Sequence, residues 1–161
     1  MKGIVFTEFL DLVEQKFGLE MVDAIIDESS LPSNGIYTSI GTYSFSEMLS
    51  LLTSLSRHTK LSIDDLLLVY AEHFFGVIRE SYPGFLAQYD DPIEMLSSIE
   101  NHIHVEVRKI YPDAELPTFV VEEKTQNKLI MIYKSSRAMY SFGRGLMNKT
   151  CLLYTSDAAD E

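Results

Sequence analysis

The chain is short of basic side chains. Thirteen lysines and arginines face 24 aspartates and glutamates, which leaves a net charge of −11. That balance argues against nucleic acid as a partner, because neutralising phosphates takes clustered Lys and Arg. Cysteine is nearly absent, and Cys151 alone excludes both an internal disulfide and a cysteine-built metal cage. No apolar run reaches the roughly 20 residues that cross a bilayer. The N-terminus meets Glu8 too early for a secretion signal. Internal repeats are missing too. Together these lacks predict a cytoplasmic protein with neither a membrane nor nucleic acid as its partner.

What is present is enough for a real core: 161 residues, 46% of them hydrophobic and 23% charged. The few basic residues are unevenly placed. Residues 116–150 hold Lys124, Lys128, Lys134, Arg137, Arg144 and Lys149 against only Glu122 and Glu123, reversing the sign of the preceding chain. A basic island in an acidic chain suits a small anionic ligand. It equally suits plain balancing of acidic neighbours.

Periodicity predicts an amphipathic helix over 1–17, with Val5, Phe9, Leu12, Val13 and Phe17 on one face and Gly18 as its stop. A second helix covers about 20–28, followed by turn chemistry at 29–35 and an extended link at 37–43. Ser44 with Glu47 has capping-box spacing and opens a helix to Arg57. Ser62 opens a long one that must end near Tyr82-Pro83. Its apolar face, with Leu66, Val69, Tyr70, Phe74, Val77 and Ile78, reads more readily as core than as a cofactor pocket. Asp91-Pro92 starts the next helix. From Pro117 the period changes to two, and 118–123 with 128–133 around Lys124-Thr125-Gln126-Asn127 reads as an antiparallel hairpin. A helix from about Arg137 to Met147 comes next. Residues 151–161 continue no earlier pattern and read as a non-native tail.

The segment Ile99–Arg108 supports two readings. As a strand it sets His102, His104 and Glu106 on one face, a pattern resembling the two histidines and one carboxylate of non-haem iron enzymes. As a helix from Pro92, its apolar line is Leu96, Ile99, Ile103, Val107 and Ile110. His104 flanks that line and His102 points away. The length of the run, its proline start and the Tyr111-Pro112 stop favour the helix. On the residues alone, His104 then reads as an ordinary partly buried histidine. No nucleophile–base constellation stands out, and an enzyme is not expected.

Tyr133-Lys134-Ser135-Ser136-Arg137 gathers three hydroxyls and a guanidinium at a strand-to-helix corner, a cradle for carboxylates or phosphates. Tyr133, Ser135 and Arg137 match the Tyr-x-Ser-x-Arg motif of haem nitric oxide/oxygen binding domains (H-NOX, also called HNOB). His104, then Pro117 thirteen residues on, then the hairpin, then this motif reproduce that family's order and spacing. Met1-Lys2-Gly3 and Tyr82-Pro83 also resemble it. The similarity runs from residue 1 to about 149.

The resemblance implies an α+β fold: a mostly helical N-terminal part (1–63) packed on a haem-binding part (64–150) with several helices and an antiparallel sheet. Family members continue into further strands of that sheet, so the resemblance implies a C-terminally truncated record of a stand-alone bacterial member. It makes His104 the proximal ligand of haem b and Pro117 the proline packed on the macrocycle. Tyr133, Ser135 and Arg137 become the propionate clamp. Val5, Phe9, Phe74, Ile78, Phe142 and Leu146 become distal walls. Oxygen-binding members carry a distal tyrosine where Phe142 stands, so the expectation is a ferrous haem that takes nitric oxide and carbon monoxide but not dioxygen. The signal would pass to a separate histidine kinase or cyclic-di-GMP synthase or phosphodiesterase. The rivals are the non-haem iron enzyme and a haem-free helical interaction module.

Overall fold

The first helix, α1 (Gly3–Phe17), begins where only a residue without a side chain fits. In the computed structural model, which describes residues 1–157, the Gly3 N–H donates to Gly41 O at 2.8 Å and the Ile4 N–H to Ser39 O at 2.9 Å. A Cβ on Gly3 would stand 1.7 Å from the Thr38 carbonyl oxygen. The link 37–43 is thereby stitched to the head of α1. It carries the rings that cover Phe6, with Tyr37 stacked at 4.5 Å and Tyr43 edge-on at 5.6 Å.

By packing, the chain forms two compact units, Met1–Tyr70 and the residues from Ala71 on. The division falls inside α4 (Ile63–Ser81). The first unit adds α2 (Leu19–Asp27), α3 (Phe45–Thr59) and the start of α4 to α1. Phe6, not Val5, lies fully buried on α1, and Phe17 is exposed. Both expected caps are occupied by serine. The Ser44 Oγ accepts from Ser46 N–H at 3.2 Å and the Ser62 Oγ from Asp65 N–H at 3.1 Å. The capping box is only half made, because Glu47 does not reach back to Ser44. Its buried carboxylate instead accepts from the Ser33 hydroxyl, from Ser33 N–H at 3.3 Å and from the Tyr37 hydroxyl at 3.0 Å. Burial, with the neighbouring carboxylate adding to it, pushes the Tyr37 phenol up to about 12.

In the second unit, α4 ends at Ser81 and a 3₁₀ turn, Pro83–Phe85, succeeds it as the proline requires. Asp91 caps α5 (Pro92–Ser97), its Oδ1 accepting from Ile93 and Glu94 N–H at 2.7 and 3.0 Å. A π turn (Ile99–Ile103) leads into α6 (His104–Ile110). The hairpin is β1 (Thr118–Lys124) and β2 (Leu129–Lys134), antiparallel, with Phe119 opposite Tyr133 and a bulge between Val121 and Glu123. Leu129, Met131 and Tyr133 alternate inward along β2, with Leu129 and Met131 packed on a core of Phe75, Leu86, Met95, Leu96 and Ile99. The architecture is therefore α+β: among the described residues, seven α-helices and one antiparallel hairpin.

The last helix, α7 (Tyr140–Asp157), differs from expectation at both ends. Ser136, Arg137 and Ala138 form a bend outside it. At the other end it runs past Met147, because Thr150, Leu153 and Tyr154 continue the inward line of Leu146. Leu153 and Tyr154 pack on the core, and the Tyr154 hydroxyl donates to Leu86 O at 3.2 Å. Ala158–Glu161, the end of the expected tail, lie outside the described residues.

The close approach at Gly3 makes a direct prediction. Gly3→Ala should prise α1 from the 37–43 link and cost about 3 kcal/mol, the upper range for overpacking. Urea unfolding measures it, and a loss below about 0.5 kcal/mol would contradict the account.

Candidate functional site

His104 is the first residue of α6 and is 8% exposed. The expected helix would have left it beside the apolar line. The π turn changes that. The Ser98 carbonyl accepts from both His102 N–H (2.8 Å) and Ile103 N–H (3.4 Å), and the Ile99 carbonyl accepts from His104 N–H. One extra residue in a turn rotates the rest of the helix by about 100°. His104 thus succeeds buried Ile99 on the inward side. Its Nδ1–H donates to Glu100 Oε1 at 3.1 Å, and the same oxygen accepts from Phe119 N–H at 2.8 Å. Burial pushes the imidazole below its ordinary value and the Glu100 charge pulls the other way. The burial effect is the larger, so the imidazole sits below its ordinary value, and the proton a neutral ring carries on Nδ1 is the one the Glu100 carboxylate can accept.

The hairpin brings the second group of candidates. Register sets Phe119 opposite Tyr133, and their rings lie 5.5 Å apart; Phe119 is also 6.0 Å from the His104 ring. The Tyr133 ring reaches α7, its Cε2 standing 3.9 Å from where a Cβ on Gly143 would be. In the bend after β2, the Ser135 Oγ accepts from Arg137 N–H at 3.0 Å. The Arg137 guanidinium donates through Nη1 to the Glu115 carbonyl at 2.9 Å and through Nη2 to its carboxylate. Pro117 sits half-buried between Glu115 and β1.

Among the expected walls, Phe74 of α4 and Phe142 of α7 meet with ring centroids 5.6 Å apart. Leu146 packs on the second unit's core, and Ile78 is half-buried. Val5 and Phe9 belong to the first unit. Phe9 is buried against Tyr70 at 5.4 Å, and the Val5 carbonyl accepts from the Tyr70 hydroxyl at 2.6 Å.

His102, His104 and Glu106 do not converge. His102 is held by Tyr89 (2.7 Å) and Gln88 (2.9 Å), while Glu106 pairs with Lys109. Among the described residues no group of three or more His, Cys, Asp or Glu could hold a metal ion. The strand reading fails because 99–110 is helical. Sequence reasoning missed Glu100, Phe119 and Glu115. The first was findable as the residue four before His104 on a helix, the second as the one facing Tyr133 across the hairpin. Nothing local signals Glu115.

The family model described as haem-NO-binding (HNOB) matches residues 2–159. The chain belongs to the H-NOX family. Solved structures agree. An unliganded Fe(II) H-NOX protein from K. algicida is 77% identical, with a TM-score of 0.94 over 96% of this chain and 84% of that one. An H-NOX from Shewanella woodyi, solved in solution in an Fe(II)CO state with IWP-051 bound, is 36% identical (TM-score 0.81; 97% and 82% covered). An S. oneidensis H-NOX in an Fe(II)NO state is 22% identical and shares the fold (TM-score 0.87; 96% and 86% covered). No curated protein matches the chain. As an H-NOX domain it belongs to a family of haem-based gas sensors rather than enzymes, which sets aside the non-haem iron and haem-free readings. Among the described residues no helix is long and apolar enough to cross a membrane.

The two Glu115 contacts differ in kind. Its side chain is 81% exposed while that of Arg137 is only 16% exposed. Glu115→Ala keeps the backbone carbonyl and should cost under about 1 kcal/mol. Arg137→Ala also removes the donor to that carbonyl and should cost about 1–2 kcal/mol. Denaturant titration of both variants separates the two, and a reversed order would refute the assignment.

Proposed function

We propose that this chain senses nitric oxide through ferrous haem b held by His104, and discriminates against dioxygen. The observation that carries the reading is the buried His104, whose Nδ1 meets the Glu100 carboxylate at 3.1 Å and whose Nε2 is left for a metal. The surrounding chemistry fits the group. Haem is a broad apolar plane with an iron that takes imidazole and an edge bearing two carboxylates. Phe74, Ile78, Phe142 and Leu146 offer apolar surface. Tyr133, Ser135 and Arg137 offer hydroxyl and guanidinium donors for carboxylates. Pro117 would pack on the macrocycle. In this reading the haem-binding part begins at about residue 64.

When bound, haem would supply an iron, held by His104, that accepts a diatomic ligand. Bound dioxygen draws negative charge and needs a hydrogen-bond donor beside it. Phe142 and Phe74 bring rings without donors. Tyr140 is 55% exposed and two residues from Phe142, on another side of α7. Nitric oxide needs no such donor, and its binding would loosen the hold of His104 on the group. Loosening of His104 would free α6 and the π turn, giving two states with different surfaces. By resemblance to stand-alone bacterial members, the reader of those surfaces is a cytoplasmic histidine kinase or cyclic-di-GMP enzyme. Pull-down with and without nitric oxide should give different capture, and equal capture in both states would refute the switch.

Absorption spectra provide the central test. Haem-loaded protein should show a Soret band that His104→Gly abolishes or moves, and Arg137→Ala should weaken haem binding about 10–100-fold, the worth of a charge-assisted contact. The reduced protein in air should show no stable oxy spectrum, whereas carbon monoxide and nitric oxide should bind. A stable oxy form would overturn the selectivity argument. A Soret band indifferent to His104→Gly would overturn the site.

A further inference from the structure

We propose that Glu100 is a positioning residue for His104, setting how strongly its imidazole holds iron. The inference rests on the reading of His104 as the haem ligand. It stands on one oxygen atom. Glu100 Oε1 accepts from His104 Nδ1–H at 3.1 Å and from Phe119 N–H at 2.8 Å. An ionised carboxylate only accepts, so its position decides which imidazole nitrogen carries the proton and leaves Nε2 with the lone pair. A negative acceptor on Nδ1–H also makes the opposite nitrogen a stronger donor, the way outer carboxylates act on metal-bound histidines.

Three features of the surroundings make this more than an ordinary helical pair. The Glu100 side chain is 27% exposed and would swing freely without the Phe119 N–H that pins it. The His104 side chain is 10% exposed, so the contact lies where water screens it little. The π turn contains Glu100 and places His104 one residue past its end, so the carboxylate and the imidazole are set by the same distortion of the helix. The device belongs to this chain's residues, not to haem: a leucine at position 100 would leave both the His104 Nδ1–H and the Phe119 N–H without this acceptor.

The test uses haem-loaded, ferrous full-length protein. Glu100→Gln keeps the shape and an accepting oxygen for Phe119 but removes the charge. Glu106→Gln removes a charge from α6 whose partner is Lys109, not His104. Resonance Raman reads the iron–histidine stretch, and nitric oxide titration reads the ratio of histidine-free to histidine-bound adduct. Glu100→Gln should lower the stretching frequency and move that ratio about 10-fold toward the histidine-free form, the lower end of the effect of losing a ligand's outer partner. Glu106→Gln should do neither. An unchanged stretch in a Glu100→Gln protein that retains its Soret band would overturn the proposal, as would equal shifts in both variants. Failure of the wild type to take haem would strike the haem reading instead, so the two failures are distinct.

Discussion

A neutral imidazole in a protein interior needs an acceptor for its proton, and that need organises the second unit. Burying a polar N–H without a partner costs about 1–3 kcal/mol. Here the partner is Glu100, one π turn's length before His104, and its oxygen is shared with the first inward residue of β1. The sharing ties three elements together: the π turn that carries the acceptor, the helix that carries the donor, and the hairpin whose Phe119 faces Tyr133. If the π turn were drawn out into regular α-helix, His104 would rotate off the inward side. The hydrogen bond, the ring contact with Phe119 and the burial would go together.

Most of the frame was legible in the sequence, for identifiable reasons. Ser44 and Ser62 mark helix starts because a serine oxygen answers an orphan N–H one turn in. Tyr82-Pro83 and Asp91-Pro92 bound a helix end and a helix start because proline restricts its neighbours in fixed ways. The change of period from 3.6 to two at Pro117 located the hairpin. Alternation of half-buried and exposed residues along β2 gave Tyr133 its inward direction. Of the candidate site, only the motif residues in their order, from His104 through Pro117 to Arg137, stood out in the sequence. Their partners did not.

What could not be read has a common cause. A π turn has no residue signature; it forms where packing of Ile99 and His104 is worth more than a regular hydrogen-bond ladder. The expected single helix from Pro92 was right in kind and wrong at the point that matters. Glu47 had the spacing of a cap but took Ser33 and Tyr37, because a buried carboxylate prefers three donors from a neighbouring loop to one at its own helix end. Thr150 and Tyr154 extended α7 since the core of the second unit still had apolar surface to cover. In each case a tertiary contact overrode a local rule.

The basic island shows how structure separates two readings that charge alone cannot. Lys124 pairs with Glu94, Lys128 with Glu123 and Lys149 with Glu72, all between at least partly exposed side chains. Those pairs are worth little individually, and they satisfy the bland account of an island that balances its neighbours. Arg137 is different. Its guanidinium is anchored by the Glu115 backbone carbonyl and largely shielded from water, while the carboxylate it also meets is mostly in solvent. Such a cation stays in place when an exposed carboxylate leaves. Two of its five donors are engaged by Glu115. The positive charge of Lys124, Lys128 and Lys149 thus goes to neighbouring carboxylates, while that of Arg137 is fixed on a backbone carbonyl.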